Sequence, residues 1–236
     1  MTNRILQSIN IKKTQSLEDK EYTYRKFIKI EGVDAIEFRK DKVRLLDYTA
    51  VIFTSRNAID HYFRMAEDMR LRIPITMKYF CSSEAIALYL QKYITYRKRK
   101  VFYGKGSMQS LMDVIMKHKT DSFVIPCSNI YKKDLPNMLE EKGIKFSNAI
   151  LFKTLPEDIS DLDIDTYQMI VFFSPVGVES LFANFPAYKQ EETLISCFGP
   201  MTAQAIEDSG LRLDVKAPTT TAPSMTMAIE EVLKKK

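Results

Sequence analysis

Residues 50–63 read AVIFTSRNAIDHYF and residues 169–182 read MIVFFSPVGVESLF, so two distant stretches share one pattern. Each begins with an apolar run typical of a strand, which is followed by a serine and an amphipathic helical pattern. Ser55 matches Ser174 at an offset of 119 residues, and further matches follow at offsets of 118 and 117. Three matches in the same order along the chain indicate a duplicated αβ unit.

Apolar runs with strand composition recur along the whole chain, and helical patterns separate most of them. The runs cover residues 4–8, 27–30, 50–54, 78–81, 100–103, 123–126, 149–153, 169–173, 194–198 and 213–216. This alternation predicts an α/β fold with parallel sheets flanked by helices. Residues 11–24 are polar and predict at most a weak helix, and the last helical pattern covers residues 224–236.

The order of these patterns predicts two similar domains joined by a two-stranded linker, with a cleft between them. Domain one comprises residues 1–32 and 155–236, domain two comprises residues 36–149, and the linkers lie near 31–37 and 149–156. We expect residues 4–30 to supply two strands of domain one, at 4–8 and 27–30. The charged segments 31–47 and 157–165 are interpreted as solvated connections before each copy of the repeat. A cleft between two copies is a common place for a ligand site.

Composition and charge narrow the class of protein. The chain has 236 residues, 45% of them hydrophobic and 28% charged, which is typical of a globular protein and excludes wholesale disorder. No apolar run approaches the ~20 residues of a membrane span, and the first residues lack a signal-peptide pattern, so we expect a cytoplasmic protein. The three cysteines have no zinc-site spacing and are expected to be buried thiols: Cys81, Cys127 and Cys197.

Polar residues follow most of the predicted strands, at the carboxyl ends where parallel sheets bind ligands. Serine, threonine and asparagine at such places are also ordinary helix N-caps. As a set, however, they would present backbone N–H groups and helix dipoles to an anion. The candidate binding residues are Thr54, Ser55, Arg56, Ser83, Lys105, Ser128, Ser174, Pro175, Gly199, Thr202 and Thr220.

The common catalytic motifs are missing from the sequence. There is no nucleotide-binding fingerprint, and the two histidines, His61 and His118, stand without a triad or a metal-ligand set and are expected at the surface. We therefore expect no metal and no cofactor, and an enzyme of this sequence would act by binding and orientation. The basic run YRKRK at 96–100 could bind nucleic acid, but we interpret it as a solvated connection because four charges are few for that task.

Several short segments together resemble the uroporphyrinogen-III synthase family over about residues 38–236. They are IFTS at 52–55, PCS at 126–128, FFSP at 172–175 and FGPMTA at 198–203, followed by the tail at 218–232. The resemblance implies a lyase of porphyrin and heme biosynthesis, a tetrapyrrole pathway. Such an enzyme cyclises hydroxymethylbilane to uroporphyrinogen III with loss of water and inversion of ring D, and it needs no cofactor. It also implies two αβ domains on a two-stranded linker, with the active site in the cleft.

The resemblance implies roles for individual residues as well. The candidate residues above would bind the carboxylates or pyrrole faces of the substrate, and Thr202 is also a candidate catalytic residue. Phe152 stands where the family often has a tyrosine that assists loss of the hydroxyl, and a phenyl ring cannot donate a hydrogen bond. Glu84 stands where the family has a threonine. These two departures support an alternative, a non-catalytic relative that binds a tetrapyrrole or another polyanion. We expect a monomer that acts on a small molecule, with neither nucleic acid nor a membrane as partner.

Overall fold

The computed structural model of the chain describes residues 4–8 and 21–234, which fall into two units. Unit 1 comprises Met1–Lys29 and Leu155–Lys236, and unit 2 comprises Ile30–Thr154. Residues 9–20, and residues 235–236 of the last predicted helix, lie outside the described part. None of the helices in the described ranges is both long enough and apolar enough to cross a membrane.

Strands and helices alternate over most of the described chain. The strands are β1 Arg4–Gln7, β2 Glu21–Tyr24, β3 Ile28–Gly32, β4 Ala50–Phe53, β5 Lys78–Cys81, β6 Val101–Tyr103, β7 Phe123–Ser128, β8 Phe146–Pro156, β9 Met169–Phe172, β10 Leu194–Phe198 and β11 Val215–Ala217. The α-helices are α1 Ala35–Lys40, α2 Arg56–Asp68, α3 Glu84–Tyr89, α4 Met108–Met116, α5 Asp134–Glu141, α6 Pro175–Asn184, α7 Pro200–Asp208 and α8 Met225–Leu233.

Each unit contains one sheet. The sheet of unit 1 has the order β11-β10-β9-β1-β2, and each of its neighbouring pairs is parallel. The second sheet has the order β3-β8-β7-β4-β5-β6, with parallel pairing from β8 to β6. The predicted α/β class, with parallel sheets flanked by helices, is confirmed.

The two copies of the repeated pattern occupy equivalent places in the two sheets. Strand β4 pairs with β5 and β7, and β9 pairs with β1 and β10, so each is a central strand with four fully buried residues. The repeated serine is a helix N-cap in both units. Ser55 accepts a hydrogen bond from Ala58 N at 3.1 Å, and Ser174 accepts one from Gly177 N at 3.2 Å. Each cap stabilises its helix by about 1 kcal/mol, which explains why the serine stands between strand and helix in both copies.

The core of each unit lies on both faces of its sheet. In unit 2, Phe53 contacts Tyr62 of α2 edge-on, with ring centroids 5.5 Å apart, and both side chains are fully buried. In unit 1, Phe172 packs in the same manner on Phe27, with centroids 5.7 Å apart. Aromatic pairs of this kind add to the stabilisation that comes from burial of apolar surface.

Residues 4–30 supply two strands of the five-stranded sheet, as predicted, but the second of these strands is not at residues 27–30. Strand β3, Ile28–Gly32, pairs beside β8 in the six-stranded sheet, and the fifth strand of the other sheet is β2, Glu21–Tyr24. The apolar signal at Phe27 comes from its packing against Phe172 and not from strand pairing. Strand β2 is an edge strand whose residues are at least partly exposed. Its composition is polar, so the sequence has no apolar run there from which a strand could be predicted.

The two charged segments are more than solvated connections. Within residues 31–47 lies α1, which Asp34 caps by accepting hydrogen bonds from Ile36 N and Glu37 N, and which buries Phe38 completely. Within residues 157–165, Ile159 is also completely buried. A few buried apolar residues thus anchor each segment, although charged residues dominate the composition of both.

Candidate active site

A cavity of about 480 Å³ lies in unit 2, around the carboxyl ends of β5, β4, β7 and β8. One part of its wall is apolar, with Phe152 and Cys127 among its members. The rest is rich in hydroxyl and amide groups and also contains one lysine, and it consists of Thr54, Ser55, Asn57, Ser82, Ser128, Tyr131, Lys132, Asn148 and Thr154. The parallel arrangement of the strands brings these residues together from distant parts of the sequence.

Ser128, Asn129 and Thr154 form a hydrogen-bonded cluster in the cavity wall. The register between β7 and β8 shifts at Cys127/Ser128, so that Ser128 pairs with Phe152. Asn129 Oδ1 accepts hydrogen bonds from Ser128 Oγ and from Thr154 N, both at 2.8 Å. Because the only hydroxyl proton of Ser128 is used in this way, the Thr154 hydroxyl donates to Ser128 Oγ at 2.9 Å. The remaining lone pairs of Thr154 can then accept a hydrogen bond from an N–H group of a ligand.

Tyr131 and Asn148 form a second polar pair in the same wall. The side-chain Nδ2 of Asn148 donates a hydrogen bond to the Tyr131 hydroxyl oxygen at 3.2 Å. Tyr131 is 39% exposed, and the described residues offer its hydroxyl proton no acceptor. The phenol is therefore held in place as an acceptor and keeps its own proton for another group.

Phe152 lies between the cavity and helix α2. It is 5% exposed, and its ring stacks on the His61 imidazole with centroids 4.9 Å apart and an interplanar angle of 18°. Arg64 Nε donates to His61 Nδ1 at 3.2 Å. Burial, followed by the nearby Arg64 charge, lowers the pKa of His61, and Asp60 opposes this change. A half-buried imidazole beside a guanidinium is thus held neutral.

The two histidines, predicted to lie at the surface, are only partly exposed. His61 packs on Phe152, and His118 is only 24% exposed in its side chain and packs on Phe80 and Phe102 at 5.2 and 4.4 Å. The faces of α2 and α4 that carry them are therefore partly buried. Because histidine is polar, the sequence pattern predicts an exposed position for both side chains. The aromatic residues that cover them lie on strands that are distant in the sequence.

Four of the residues predicted for the site in unit 2 line the cavity: Thr54, Ser55, Ser128 and Phe152. Three others lie outside its lining. The Arg56 guanidinium lies over the Tyr89 ring at 5.2 Å, Ser83 caps α3 by accepting from Ile86 N at 3.4 Å, and Lys105 has an exposed side chain. Glu84 also lies outside the lining, and its carboxylate accepts a hydrogen bond from the Tyr103 hydroxyl at 3.2 Å.

The candidate residues of unit 1 follow three neighbouring parallel strands. Ser174 and Pro175 begin α6 after β9, Gly199 precedes α7 after β10, and Thr220 lies between β11 and α8. Gly199 has φ of +93°, a backbone conformation that favours glycine. Thr202, in the first turn of α7, is 3% exposed, so its side chain lies within the protein. Ser174, Gly199 and Thr220 share one edge of the unit 1 sheet.

The cysteines are buried, as predicted, and burial raises the pKa of both Cys81 and Cys127 to about 12. The Cys127 thiol lines the cavity and donates to Ala149 O at 3.6 Å. Within residues 4–8 and 21–234, no three histidine, cysteine, aspartate or glutamate side chains are grouped so as to hold a metal ion. The basic run at 96–100 precedes β6, at the end of the strand away from the cavity.

Comparison with known proteins gives one family and a set of similar folds. The model of the family described as uroporphyrinogen-III synthase HemD matches residues 27–227. A crystal structure of uroporphyrinogen-III synthetase from Helicobacter pylori 26695 is 15% identical, with a TM-score of 0.60 over 100% of both chains. A mutant uroporphyrinogen III synthase from Thermus thermophilus is 16% identical, with a TM-score of 0.55 over 99% of both chains. At these identities the two structures establish a shared fold.

Proposed function

The chain belongs to the uroporphyrinogen-III synthase family, and we propose that the cavity of unit 2 forms part of the site at which it binds hydroxymethylbilane. Enzymes of this family are lyases of porphyrin and heme biosynthesis. The reaction cyclises hydroxymethylbilane to uroporphyrinogen III, with loss of water and inversion of ring D. The substrate carries eight carboxylate side chains and four pyrrole rings, and unaided closure gives the type I isomer.

The observation that carries the proposal is the chemical character of the cavity wall. Of the described residues that line it, none is an aspartate, a glutamate or a histidine. A negatively charged wall would repel an octa-acid, whereas Lys132 and the neutral hydrogen-bonding groups of this cavity would not. An enzyme that selects one ring-closure geometry needs to bind and orient its substrate more than it needs strong acids or bases.

Individual roles follow from the geometry of the wall. We assign Thr54, Ser55 and Thr154 to hydrogen bonds with the substrate, and the ring of Phe152 to an apolar contact with a pyrrole face. The Ser128 hydroxyl is already bonded to Asn129 Oδ1, Thr154 Oγ1 and Ile130 N, and we assign it to the positioning of Thr154. We assign no substrate contact to the three residues outside the lining, Arg56, Ser83 and Lys105. In unit 1 we propose that Ser174, Gly199 and Thr220 bind further substrate carboxylates and that Pro175, which has no N–H group, contacts a pyrrole face. We assign no substrate contact to Thr202, because its side chain is buried.

The oligomeric state, the localisation, the cofactor requirement and the partners are proposals as well. We propose a cytoplasmic monomer that needs no cofactor and has no nucleic-acid partner. The alternative of a non-catalytic binding protein rests on Phe152 and Glu84. The Glu84 carboxylate is hydrogen-bonded to Tyr103 and lies outside the cavity lining. Of these two residues, only Phe152 therefore still supports a non-catalytic binding protein.

The test is an isomer assay with freshly generated hydroxymethylbilane. Products are oxidised and the type I and type III isomers are separated, with a protein-free reaction as the measure of unaided closure. Predominantly type III product supports the proposal. Type I alone from a folded protein, with binding of the substrate retained, would favour the non-catalytic alternative.

A further inference from the structure

Loss of water from hydroxymethylbilane requires a proton donor near the departing oxygen. When the C–O bond of the hydroxymethyl group breaks, the electron pair leaves with the oxygen, and the adjacent pyrrole nitrogen supplies electrons to the carbon. The oxygen leaves as water only if it takes up a proton. Phe152, which lies in the cavity wall, has no O–H group with which to give one.

Four of the hydroxyl and thiol hydrogens in the cavity wall are already donated within the protein. Ser82 Oγ donates to Thr54 O at 3.4 Å, and the Cys127 thiol donates to Ala149 O. The hydroxyl protons of Ser128 and Thr154 are used within their own cluster. An aliphatic alcohol is in any case a poor proton donor, because its conjugate base is less stable than a phenolate.

Tyr131 differs from these residues in both respects. It is a phenol, and the hydrogen bond that it makes in the described structure is one that it accepts from Asn148 Nδ2, so its own O–H is left to donate. Tyr131 lines the cavity and is 39% exposed as a residue, so a ligand in the cavity can contact it. We propose that Tyr131 is a catalytic residue that donates its hydroxyl proton to the departing oxygen of hydroxymethylbilane, and that Asn148 is its positioning residue. This inference rests on the proposed function of the cavity.

The proton balance of the step closes without an external acid. The Tyr131 proton leaves on the water molecule, and the substrate carries a positive charge in place of the hydroxide. When the new ring bond forms and the pyrrole regains its aromaticity, the macrocycle releases one proton, which restores the phenol. The sum is hydroxymethylbilane to uroporphyrinogen III and water.

Asn148 gives a test that separates positioning from packing. Asn148→Leu removes the donor to the phenol and keeps a side chain of similar size, and kcat should fall by roughly tenfold. In a Tyr131→Phe background the same change should lower kcat by no more than about twofold, because the two residues act through one hydroxyl. Independent, multiplicative losses would mean that Asn148 acts in some other way.

The deciding experiment compares Tyr131→Phe with Tyr103→Phe in the isomer assay. Tyr103 is a matched control, since it is 38% exposed in the same unit and lies outside the cavity lining. We expect Tyr131→Phe to lower kcat for type III formation by about 100-fold with KM changed less than about twofold, while Tyr103→Phe matches the wild type. A Tyr131→Phe kcat within about threefold of the wild type, with the wild type forming type III, would overturn this inference alone. Type I product from the wild type would overturn the proposed function and this inference with it.

Discussion

Replacing Arg64 by methionine should destabilise unit 2 by about 2–4 kcal/mol. The Arg64 guanidinium donates to Val33 O at 2.7 Å and to Leu151 O at 3.0 Å, and its Nη1 bonds Asp68 Oδ2 at 2.6 Å. It thereby ties α2 to the backbone at the start of α1 and in β8. The fit is close, because a Cβ added to Gly32 would lie 2.8 Å from Arg64 Cζ.

The magnitude follows from the two carbonyl groups. A hydrogen bond from a charged donor stabilises a protein by about 1.5–3 kcal/mol, and an acceptor that is left unsatisfied costs a similar amount. Leu151 O keeps its hydrogen bond from Val33 N at 3.0 Å, so this second cost applies to Val33 O. The Arg64 side chain is 32% exposed, so water can replace part of what is lost, and the ion pair with Asp68 adds no more than about 0.5 kcal/mol. Methionine retains most of the aliphatic part of the arginine side chain, so little stabilisation from packing is lost.

The assay is urea denaturation followed by far-ultraviolet circular dichroism, since the chain has no tryptophan. Arg72→Met, which changes an exposed arginine in the same unit, is the control and should shift stability by less than about 0.5 kcal/mol. Because Leu151 precedes Phe152, Arg64→Met should also raise the share of type I product. A loss of stability below about 0.5 kcal/mol for Arg64→Met would refute the reasoning.

Three further predictions concern pH, thiol reactivity and the cavity wall. The pKa of His61 is lowered in the folded state, so the unfolded chain binds the proton first and stability falls as the pH drops from about 7 to 5. In His61→Gln the melting temperature should change less between those pH values, and the same change as in the wild type would contradict this. Burial raises the pKa of Cys81, Cys127 and Cys197, so iodoacetamide at pH 8 should label the thiols slowly in native protein and rapidly in urea, and equal rates would be inconsistent with the structure. Phe152→Tyr should not reduce type III formation, and loss of turnover in a folded protein would show that this position lies outside the site.

The scaffold could be predicted from sequence because its signals are local. An apolar run, a capping serine and an amphipathic helix lie within about fourteen residues of each other, and both copies fold as that pattern indicates. The same local pattern identifies Ser55 and Ser174, and both residues are helix N-caps in the structure. Pairing partners are not local, so the sequence pattern predicts neither the place of β3 beside β8 nor the edge strand β2.

The cavity wall was less predictable, because its members are brought together by register. Thr154 and Asn148 lie on β8, which runs over eleven residues and extends beyond the apolar stretch that marks it in the sequence. Tyr131 lies in the polar connection after β7, where no periodic pattern distinguishes it from a solvated loop residue. The shift at Cys127/Ser128 then sets Ser128 against Phe152, a relation that sequence spacing does not contain.

The repeat and the proposed chemistry therefore occupy different parts of unit 2. The repeated unit contributes Thr54 and Ser55, which follow β4 and can only bind and orient. The phenol, its positioning amide and the Ser128–Thr154 cluster come from β7, β8 and the connection after β7. An aromatic residue without a hydroxyl at position 152 is compatible with turnover in this arrangement, because the reaction requires an O–H near the departing oxygen and not at a given place in the sequence. The loss of one motif residue is thus weak evidence against activity when the same cavity wall holds another phenol whose proton is free to be donated.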